Sequence, residues 1–267
     1  MPELPEIANL TRQIDERLPG KQIVDIEVAQ PKCLNLPGED FKAALVGAQI
    51  GPAHYRGKWI VIHTDRGWLL LNLGMGGEIL LVTRASLPAK RRLIFDFSDD
   101  TCLSVNFWWF GYAHYVSEDG LEQHPMLRKL GPNALALSEE AFIQRMHGAR
   151  GRVKDFLLDQ SKIAGIGNAY IHDILWLAGL HPRRKIDTLT LPDLQRLYRA
   201  IQDGLRPSLE LGGAFYEVDL DGKKGGFTFE RVIVGYREGQ PCPRCGASIQ
   251  KIKTGGTSSF ICPACQL

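Results

Sequence analysis

Four of the six cysteines form two C-x-x-C pairs near the C-terminus, Cys242 with Cys245 and Cys262 with Cys265. Sixteen residues separate the pairs, a spacing typical of two short turns that a β-hairpin brings together around a tetrahedral Zn²⁺. The N-terminus lacks the pattern of a secretory signal, which favours metal ligation over disulfides. A site closed by four thiolates leaves no position for a substrate, so we predict one structural zinc ion.

The composition of the 267-residue chain is that of a globular protein, with 44% hydrophobic and 23% charged residues. This length accommodates one large domain or two ordinary ones. No apolar run reaches the roughly 18 residues that indicate a transmembrane helix, so no membrane partner is expected. The net charge is only +2, and a nucleic-acid partner therefore has to be argued from local basic patches.

Short strands are predicted between residues 23 and 116, where Gly, Asp and Pro interrupt apolar runs. The predicted strands are Ile23–Val28, Trp59–His63, Trp68–Leu73, Glu78–Val82, Leu93–Phe97, Cys102–Asn106 and Tyr112–Val116. A helix over Glu39–Leu45 interrupts them. Strands at this spacing indicate a two-layer β-sandwich or a flattened barrel.

Helical patterning flanks this strand region on both sides. The predicted helices are Pro5–Leu18, one that starts after Ser138 as its N-cap, Arg152–Leu158, Asn168–Leu177 and Leu191–Leu209. The segment Gly212–Gly226 is rich in Gly, Asp and Lys and is predicted to be a long flexible loop, a kind of segment that is often functional. The predicted fold class is therefore α+β.

The first six residues, Met1-Pro-Glu-Leu-Pro-Glu6, hold a candidate nucleophile. Removal of Met1 leaves Pro2 with a free secondary amine. An α-amino group has a pKa of about 8, so it is unprotonated far more often than lysine at neutral pH and can attack a sugar carbon to form an iminium. Glu3 and Glu6 stand beside it as potential proton carriers. The structural alternative is a helix start, because Pro and Glu are also typical of a first helical turn.

A second candidate site is the turn Gly165-Ile-Gly167 before a predicted helix. Such a turn exposes backbone N–H groups and a positive helix end to an anion, and Asn168 either caps the helix or donates to a phosphate. The basic residues that precede the turn are Arg145, Arg150, Arg152 and Lys154. Helices joined by a turn near basic residues indicate a grip on a duplex backbone, although an ordinary interhelical turn has the same pattern.

Several segments occur together in the order of one known family. They are Pro2–Glu6, Arg56–Trp59, Leu73–Gly77, His124–Pro132, Ile163–Asn168 with His181-Pro182, and the four-cysteine module. Over nearly its whole length the sequence resembles the formamidopyrimidine-DNA glycosylase and endonuclease VIII family. It is most similar to the formamidopyrimidine branch, whose members carry such a zinc finger and a loop resembling Gly212–Gly226.

The resemblance implies an N-terminal β-sandwich domain over residues 1–120, a helical domain with a helix-two-turn-helix over 121–226 and a zinc-finger hairpin over 227–267. Double-stranded damaged DNA is then expected in the cleft between the first two. The implied activity is that of a base-excision repair glycosylase with abasic-site lyase activity. A cytoplasmic monomer working at the bacterial nucleoid is expected.

The resemblance also implies a role for individual residues. Pro2 attacks C1′ of a flipped-out nucleoside, and Glu3 is the general acid and base at the sugar. Lys58 assists at the phosphates of the lesion, and Asn168 holds a phosphate. This chemistry needs no redox cofactor and no catalytic metal.

Several positions depart from the family pattern. Met75 matches one of the residues that fill the space left by the flipped base, but Trp109-Phe110-Gly111 replaces an Arg-Phe-Gly motif. Phe110 can still wedge between bases, and Trp109 can stack on the orphaned base although it lacks the hydrogen bonds of an arginine. Asn72 stands in place of a family histidine and is included among the predicted DNA contacts.

The zinc finger and the long loop depart as well. The family arginine that grips phosphates aligns with Thr257, which removes a charge-assisted contact. Lys253 can supply charge from elsewhere in the hairpin and is, with Arg152, a predicted DNA contact. In the loop, Phe215-Tyr-Glu217 replaces a Thr- and Ser-rich segment. Such changes around an unchanged Pro2 and Glu3 predict retained amine chemistry with an altered choice of lesion.

Two alternative functions stay open at this point. One is a paralogue that acts mainly on abasic, single-stranded or cross-linked DNA and has little activity on 8-oxoguanine. The other is a non-catalytic protein that binds damaged DNA through the same fold. The retained Pro2 and Glu3 argue against the second alternative, whereas the lost arginines argue for it.

Overall fold

Two antiparallel four-stranded sheets form the N-terminal half of the computed structural model, which describes residues 1–108 and 110–267. One sheet has the order β1 (Ile23–Val28), β6 (Leu93–Phe97), β7 (Thr101–Asn106) and β5 (Glu78–Thr83). The other has the order β2 (Ile50–Arg56), β3 (Trp59–Thr64), β4 (Gly67–Asn72) and β8 (Tyr112–Val116). Buried side chains of both sheets, such as Phe95 and Leu71, share one apolar core. The predicted β-sandwich is confirmed.

All seven predicted strands are present, each within one residue of its predicted bounds. The strand that the sequence analysis missed is β2, which contains Gly51 and Pro52. It lies at the edge of its sheet, and its pairing with β3 is irregular between Ile50 and Ala53. Proline is tolerated at such an edge because its missing N–H leaves no gap in an interior ladder. The Gly and Pro residues of this segment argue against a strand when only the local sequence is considered. Pairing with β3 nevertheless makes the segment a strand.

Helix α1 (Leu4–Arg17) joins the two halves of the chain. Its apolar residues Ile7, Leu10 and Ile14 pack in the sandwich core. Leu4, in its first turn, packs instead in the core of the helical region, and its N–H donates to the Gly165 carbonyl at 3.0 Å. The N-terminus is consequently held between both cores. A second helix, α2 (Gly38–Leu45), flanks the sandwich.

The helical region contains α3 (Glu139–Met146), α4 (Val153–Leu158), α5 (Ile171–Ala178) and α6 (Leu191–Glu210). Ser138 caps α3 as predicted, since its hydroxyl accepts from the Ala141 N–H at 3.2 Å. Helix α5 begins at Ile171, later than the predicted Asn168. Tyr170 occupies the N-cap position, so Asn168 lies in the preceding turn and does not cap the helix.

The segment Gly212–Gly226 folds back on the sandwich. Leu220 is fully buried in the sandwich core, and its carbonyl accepts from the Leu81 N–H of β5 at 2.8 Å. At the base of the segment, the Gly226 N–H donates to the Leu211 carbonyl at 2.8 Å. The predicted loop is therefore tied down at its tip and at its base.

The C-terminal hairpin consists of β9 (Gln250–Thr254) and β10 (Thr257–Ile261). Trp176 of α5 packs in the same small core as Cys242 and Phe260. Asp173, also on α5, accepts backbone N–H groups of Ile233, Val234 and Gly235 with both carboxylate oxygens, at 2.7 to 2.9 Å. These contacts fix the hairpin module against the helical region. Among the described residues, no helix combines the length and apolarity needed to cross a bilayer.

Replacing Asp173 by asparagine is expected to destabilise this junction. The amide offers one acceptor oxygen, and its NH₂ group then faces a backbone N–H that has lost its acceptor. A buried donor without a partner costs about 1–3 kcal/mol. Urea unfolding of Asp173→Asn should show a loss of that size, whereas the exposed Asp203→Asn on α6 should stay within about 0.5 kcal/mol of the parent protein. Equal stabilities would contradict the role of Asp173.

Candidate active site and zinc centre

A cavity of about 620 Å³ opens where the N-terminus, the glycine turn and the long loop meet. Polar groups reach it from Glu3, Lys58 and Asn168, while Met75 borders it on the sandwich side. The aromatic residues in its wall are Tyr170, Phe215, Tyr216, Phe227, Phe229 and Tyr236. An apolar cavity with a few convergent polar groups is the usual form of a ligand site.

Glu3 lies buried between α1 and the glycine turn. Its two carboxylate oxygens accept from the Gly167 N–H at 2.6 Å and the Ala169 N–H at 2.8 Å. Burial raises the pKa of the Glu3 carboxyl, while the positive charge of Lys58 and the two N–H donors oppose that rise. A carboxyl with a raised pKa beside the cavity suits the role of a general acid and base.

Glu6 is also buried, but its oxygens are engaged within the protein. One oxygen accepts from the Tyr170 hydroxyl and from the Ala214 N–H at 3.0 Å, and the other accepts from the Glu3 N–H at 2.8 Å. Glu6 thus connects α1, α5 and the loop. This geometry supports an organising role for Glu6 beside the proton-carrying role predicted from sequence.

Lys58 and Gly167 lie close to each other beside the Glu3 carboxylate. A Cβ added at Gly167 would overlap the Glu3 carboxylate and the Lys58 ammonium nitrogen, so only glycine allows the three groups to meet. Lys58 also lines an adjoining cavity of about 460 Å³ together with Asn72 and Phe110. The Asn72 amide donates to the Lys58 carbonyl at 3.0 Å and accepts from the Gly74 N–H at 3.1 Å, which orients the backbone of Lys58.

The N-terminus itself lies in the cavity. Pro2 is buried, and Met1 lines both cavities. The α-amino nitrogen of Met1 lies 3.6 Å from an oxygen of Glu217, a loop residue whose side chain is only 12% exposed. Burial raises the pKa of Glu217 to about 7. Nothing in the local sequence of Glu217 shows that the loop returns to the N-terminus, so this placement could not be predicted from sequence.

The four C-terminal cysteines converge as predicted. Their sulfur atoms all lie within 4.8 Å of one another, with 3.9 Å between Cys242 and Cys265 and 3.4 Å between Cys245 and Cys262. Zn–S bonds of about 2.3 Å in a tetrahedron require S–S separations of about 3.8 Å. The Trp176 indole N–H also donates to the Cys242 sulfur at 3.4 Å, a contact that suits a thiolate. The residues present therefore fit one zinc ion.

Three family models match the chain. They are the formamidopyrimidine-DNA glycosylase N-terminal domain over residues 1–106, the H2TH domain of the same enzyme over 130–219, and a zinc finger found in FPG and IleRS over 239–267. The chain belongs to the formamidopyrimidine-DNA glycosylase family. These are DNA glycosylases with abasic-site lyase activity, so the resemblance and the predicted enzyme class are confirmed. The predicted structural zinc is confirmed as well.

Full-length relatives agree with this assignment. The chain is 35% identical over 273 residues to the formamidopyrimidine-DNA glycosylase of Pelotomaculum thermopropionicum, covering 100% of this chain and 99% of the relative. It is 34% identical over 277 residues to the enzyme of Gluconobacter oxydans, covering 100% of both chains. A solved complex between Lactococcus lactis Fpg and DNA containing an abasic site is similar, with a TM-score of 0.91 and 30% identity over 99% of each chain.

The candidate wedge residues of this family member stand on the sandwich side of the cavities. Met75 is 52% exposed and Phe110 is 70% exposed, the latter with a left-handed backbone at φ 57°. Trp109, predicted to stack on the orphaned base, lies outside the described residues. Its neighbour Trp108 is 62% exposed, and its ring packs over Gly76, 3.1 Å from where a Cβ would stand. A side chain at position 76 would crowd this indole.

Lys154 has a different role from the one its place in a basic run suggests. It is fully buried, and its ammonium group donates to the Thr257 hydroxyl, the Ser258 carbonyl and the Ser259 hydroxyl at 2.8 to 3.0 Å. Burial lowers its pKa to about 8. Lys154 therefore anchors the zinc hairpin at Thr257, the position where the family arginine aligns. Arg152 and Lys253 are exposed, as phosphate contacts must be.

The turn residue Asn168 lines both cavities. Its amide nitrogen lies 3.5 Å from the Tyr236 hydroxyl, and its buried carbonyl oxygen has no hydrogen-bond partner within the described chain. Tyr236 has a left-handed backbone at φ 59° and packs on His172 and Phe260. Tyr170 and Tyr236 are site residues that the sequence analysis did not identify. Tyr170 lies two residues beyond Asn168, so the glycine turn was its only local signal.

The close contact between Gly167 and the Glu3 carboxylate predicts that a side chain at position 167 disrupts the site. Gly167→Ala should displace the Glu3 carboxylate or Lys58 by a large fraction of an ångström, and misplacement on that scale costs about 100-fold in rate. Single-turnover cleavage of abasic-site DNA measures this loss. Gly38→Ala is the matched control, because a Cβ there meets open space. Wild-type rates for Gly167→Ala would show that the three groups do not act together.

Zinc content tests the metal centre directly. Atomic emission should find one zinc per chain in the purified protein, and Cys245→Ser should lose it together with the protease resistance of the hairpin, because closed four-cysteine sites stabilise their own fold. Cys33→Ser, which changes a buried thiol outside the cluster, should keep the full zinc content. Retention of zinc by Cys245→Ser would contradict the assigned ligand set.

Proposed function

We propose that this chain excises damaged bases from double-stranded DNA and cleaves the resulting abasic site, with the Pro2 amine as its nucleophile. The observation that carries the proposal is the Glu3 carboxylate, held by the Gly167 and Ala169 N–H groups next to Lys58, in a cavity that receives the N-terminus. Solved relatives from Lactococcus lactis bind DNA with an abasic site or with N7-benzyl-Fapy-dG, which supports damaged DNA as the substrate class.

The chemistry begins with extrusion of the damaged nucleotide, since its C1′ atom is inaccessible within the duplex. Once Met1 has been removed, the Pro2 lone pair forms a bond to C1′, the bond from C1′ to the base breaks, and the departing base takes up the proton that the Pro2 nitrogen releases. The Glu3 carboxyl protonates the ring oxygen as the C1′–O4′ bond opens, which leaves an iminium. The iminium acidifies the C2′ hydrogens, and loss of one of these protons expels the 3′ phosphate.

Lys58 and Asn168 are proposed to hold the strand in register. The Lys58 ammonium faces both cavities, where a cation favours the phosphates on either side of the lesion. Asn168 lines both cavities, and its side-chain amide nitrogen is suited to donate to a phosphate. Met75 and Phe110 are proposed to fill the gap that the flipped base leaves.

Altered lesion choice is the second candidate function, and the aromatic wall supports it. Phe215 and Tyr216 stand in the loop where relatives carry small hydroxyl residues, and their rings meet edge to face at 5.1 Å. Aromatic rings offer stacking to any base, with little hydrogen-bond selection. We therefore propose broader acceptance of modified bases than a site lined with serine and threonine allows.

The setting of the enzyme is also a proposal. DNA as substrate and a zinc site built on four thiolates both suit a reducing cytoplasm. One chain supplies every group named in the mechanism, so a monomer is sufficient for activity. Analytical ultracentrifugation at micromolar concentration tests the oligomeric state.

Borohydride trapping tests the mechanism. Wild-type protein incubated with abasic-site, 8-oxoguanine, formamidopyrimidine, oxidised-pyrimidine or cross-linked duplexes should form a covalent adduct with at least one of them, because borohydride reduces an iminium to a stable amine. Pro2→Gly replaces the secondary amine by a primary one and should lower the trapped yield at least about 10-fold. Mass spectrometry must first show that Met1 is absent, since an acylated Pro2 nitrogen has no nucleophilic lone pair. Tight binding without any adduct would exclude catalysis.

A further inference from the structure

Glu217 is a buried carboxylate of the long loop that the mechanism above does not use. Its backbone is fixed on both sides, since its N–H donates to the Ala214 carbonyl at 3.0 Å and its carbonyl accepts from the Gly225 N–H at 3.2 Å. Its side chain, 12% exposed, points to the N-terminus, with 3.6 Å between its carboxylate and the α-amino nitrogen of Met1. The loop thus delivers a third carboxylate to the N-terminal end of the chain, next to the α-amino group of Met1.

The other two carboxylates near the amine have other partners. Both Glu3 oxygens accept backbone N–H groups of the glycine turn. Both Glu6 oxygens are likewise engaged, by Tyr170 and Ala214 on one side and by the Glu3 N–H on the other. Within the described chain, the partner found for the Glu217 carboxylate is the N-terminal amine itself. Glu217 is therefore the carboxylate with free capacity to exchange a proton with the amine.

Glu217 also remains within reach after Met1 is removed. Backbone bond lengths limit the separation of two consecutive nitrogen atoms to about 3.7 Å. The Pro2 nitrogen consequently lies within roughly 7 Å of the Glu217 oxygen. Rotation of the three-torsion glutamate side chain, alone or together with one bridging water molecule, spans this distance, and general bases act either directly or through one water.

The charges around Glu217 favour proton exchange near neutrality. Burial raises its pKa to about 7, the N-terminal amine opposes the rise, and the carboxylates of Glu6 and Glu3 on α1 add to it. On its own loop the neighbouring group is the Tyr216 phenol, whose pKa is raised by burial and by the same carboxylates, so it stays neutral. An acid and base with a pKa close to the working pH is the most effective kind.

We infer that Glu217 is the proton-transfer partner of the Pro2 amine, an inference that rests on the proposed amine mechanism. At an abasic site, the Pro2 ammonium gives one proton to Glu217. The free amine adds to the C1′ carbonyl, forming the N–C1′ bond, and the second N–H proton passes to the carbonyl oxygen. Glu217 then protonates the resulting hydroxyl, the C1′–O bond breaks, and water leaves. Both ammonium protons depart in that water, and the iminium remains.

The experiment is the pH profile of single-turnover borohydride trapping on a preformed abasic site. Glu217→Gln keeps the shape of the side chain but cannot exchange a proton, so trapping should slow about 100-fold at pH 7, within the range of general acid–base catalysis. The difference in trapping rate between the wild-type protein and Glu217→Gln should become smaller above pH 9, because the free amine is abundant there and the carboxyl of the wild-type protein has lost its proton. Glu217→Ala should be slow as well, and added acetate should restore at least about one tenth of the lost rate.

The controls distinguish a failure of the Glu217 role from a failure of the amine mechanism. Glu210→Gln removes an exposed carboxylate at the end of α6 and should trap at the wild-type rate. Binding to DNA with a tetrahydrofuran analogue should be unchanged in Glu217→Gln, which shows that the fold and the interface are intact. Failure of the wild-type protein to form any adduct would overturn the amine mechanism itself. Wild-type trapping with an unaltered or uniformly slower Glu217→Gln at every pH, or a faster variant, would overturn the role of Glu217 alone.

Discussion

The Glu3 carboxylate and the two N–H groups that it accepts form the interaction on which the site depends. They join the first residues of the chain to a turn 164 residues later, at 2.6 Å from Gly167 and 2.8 Å from Ala169. Burying a carboxylate is costly unless it is hydrogen-bonded or paired, and the turn and Lys58 supply both forms of compensation. Gly167 is required there because any side chain would occupy the space in which these groups meet.

Packing of residues from each half of the molecule in the core of the other half holds that arrangement in place. Leu4 of α1 packs in the helical core, while Leu220 of the loop packs in the sandwich core. The helical core thus contains a residue of the N-terminal helix, and the sandwich core contains a residue of the loop. The cavity between them is bordered by the N-terminus, the turn and the loop, and these segments are fixed relative to one another before any ligand binds. Preorganisation of this kind lowers the cost of aligning a nucleophile with its substrate.

Changes relative to the family concentrate at the periphery of the site. Thr257 stands where an arginine aligns, and the buried Lys154 bonds to its hydroxyl from within the protein instead of to a phosphate. Trp108 packs over Gly76 beside the exposed Met75. The first of these positions is engaged in internal hydrogen bonding, and the second is covered by aromatic surface. We therefore propose that the same amine chemistry is combined with a different way of recognising the lesion.

The sequence by itself determined the features that depend on local spacing. The C-x-x-C pairs predicted the zinc ligands, apolar runs interrupted by Gly, Asp and Pro predicted seven strands, and Pro2 with Glu3 suggested the candidate chemistry. Only the tertiary structure decided that β2 is an edge strand, that Asn168 lies before the helix, that Lys154 is an internal anchor and that the Glu217 carboxylate lies next to the Met1 α-amino group. These four outcomes depend on burial and on partners distant in the chain. A charged residue has the same local sequence whether it is solvated or buried, and only long-range packing distinguishes the two.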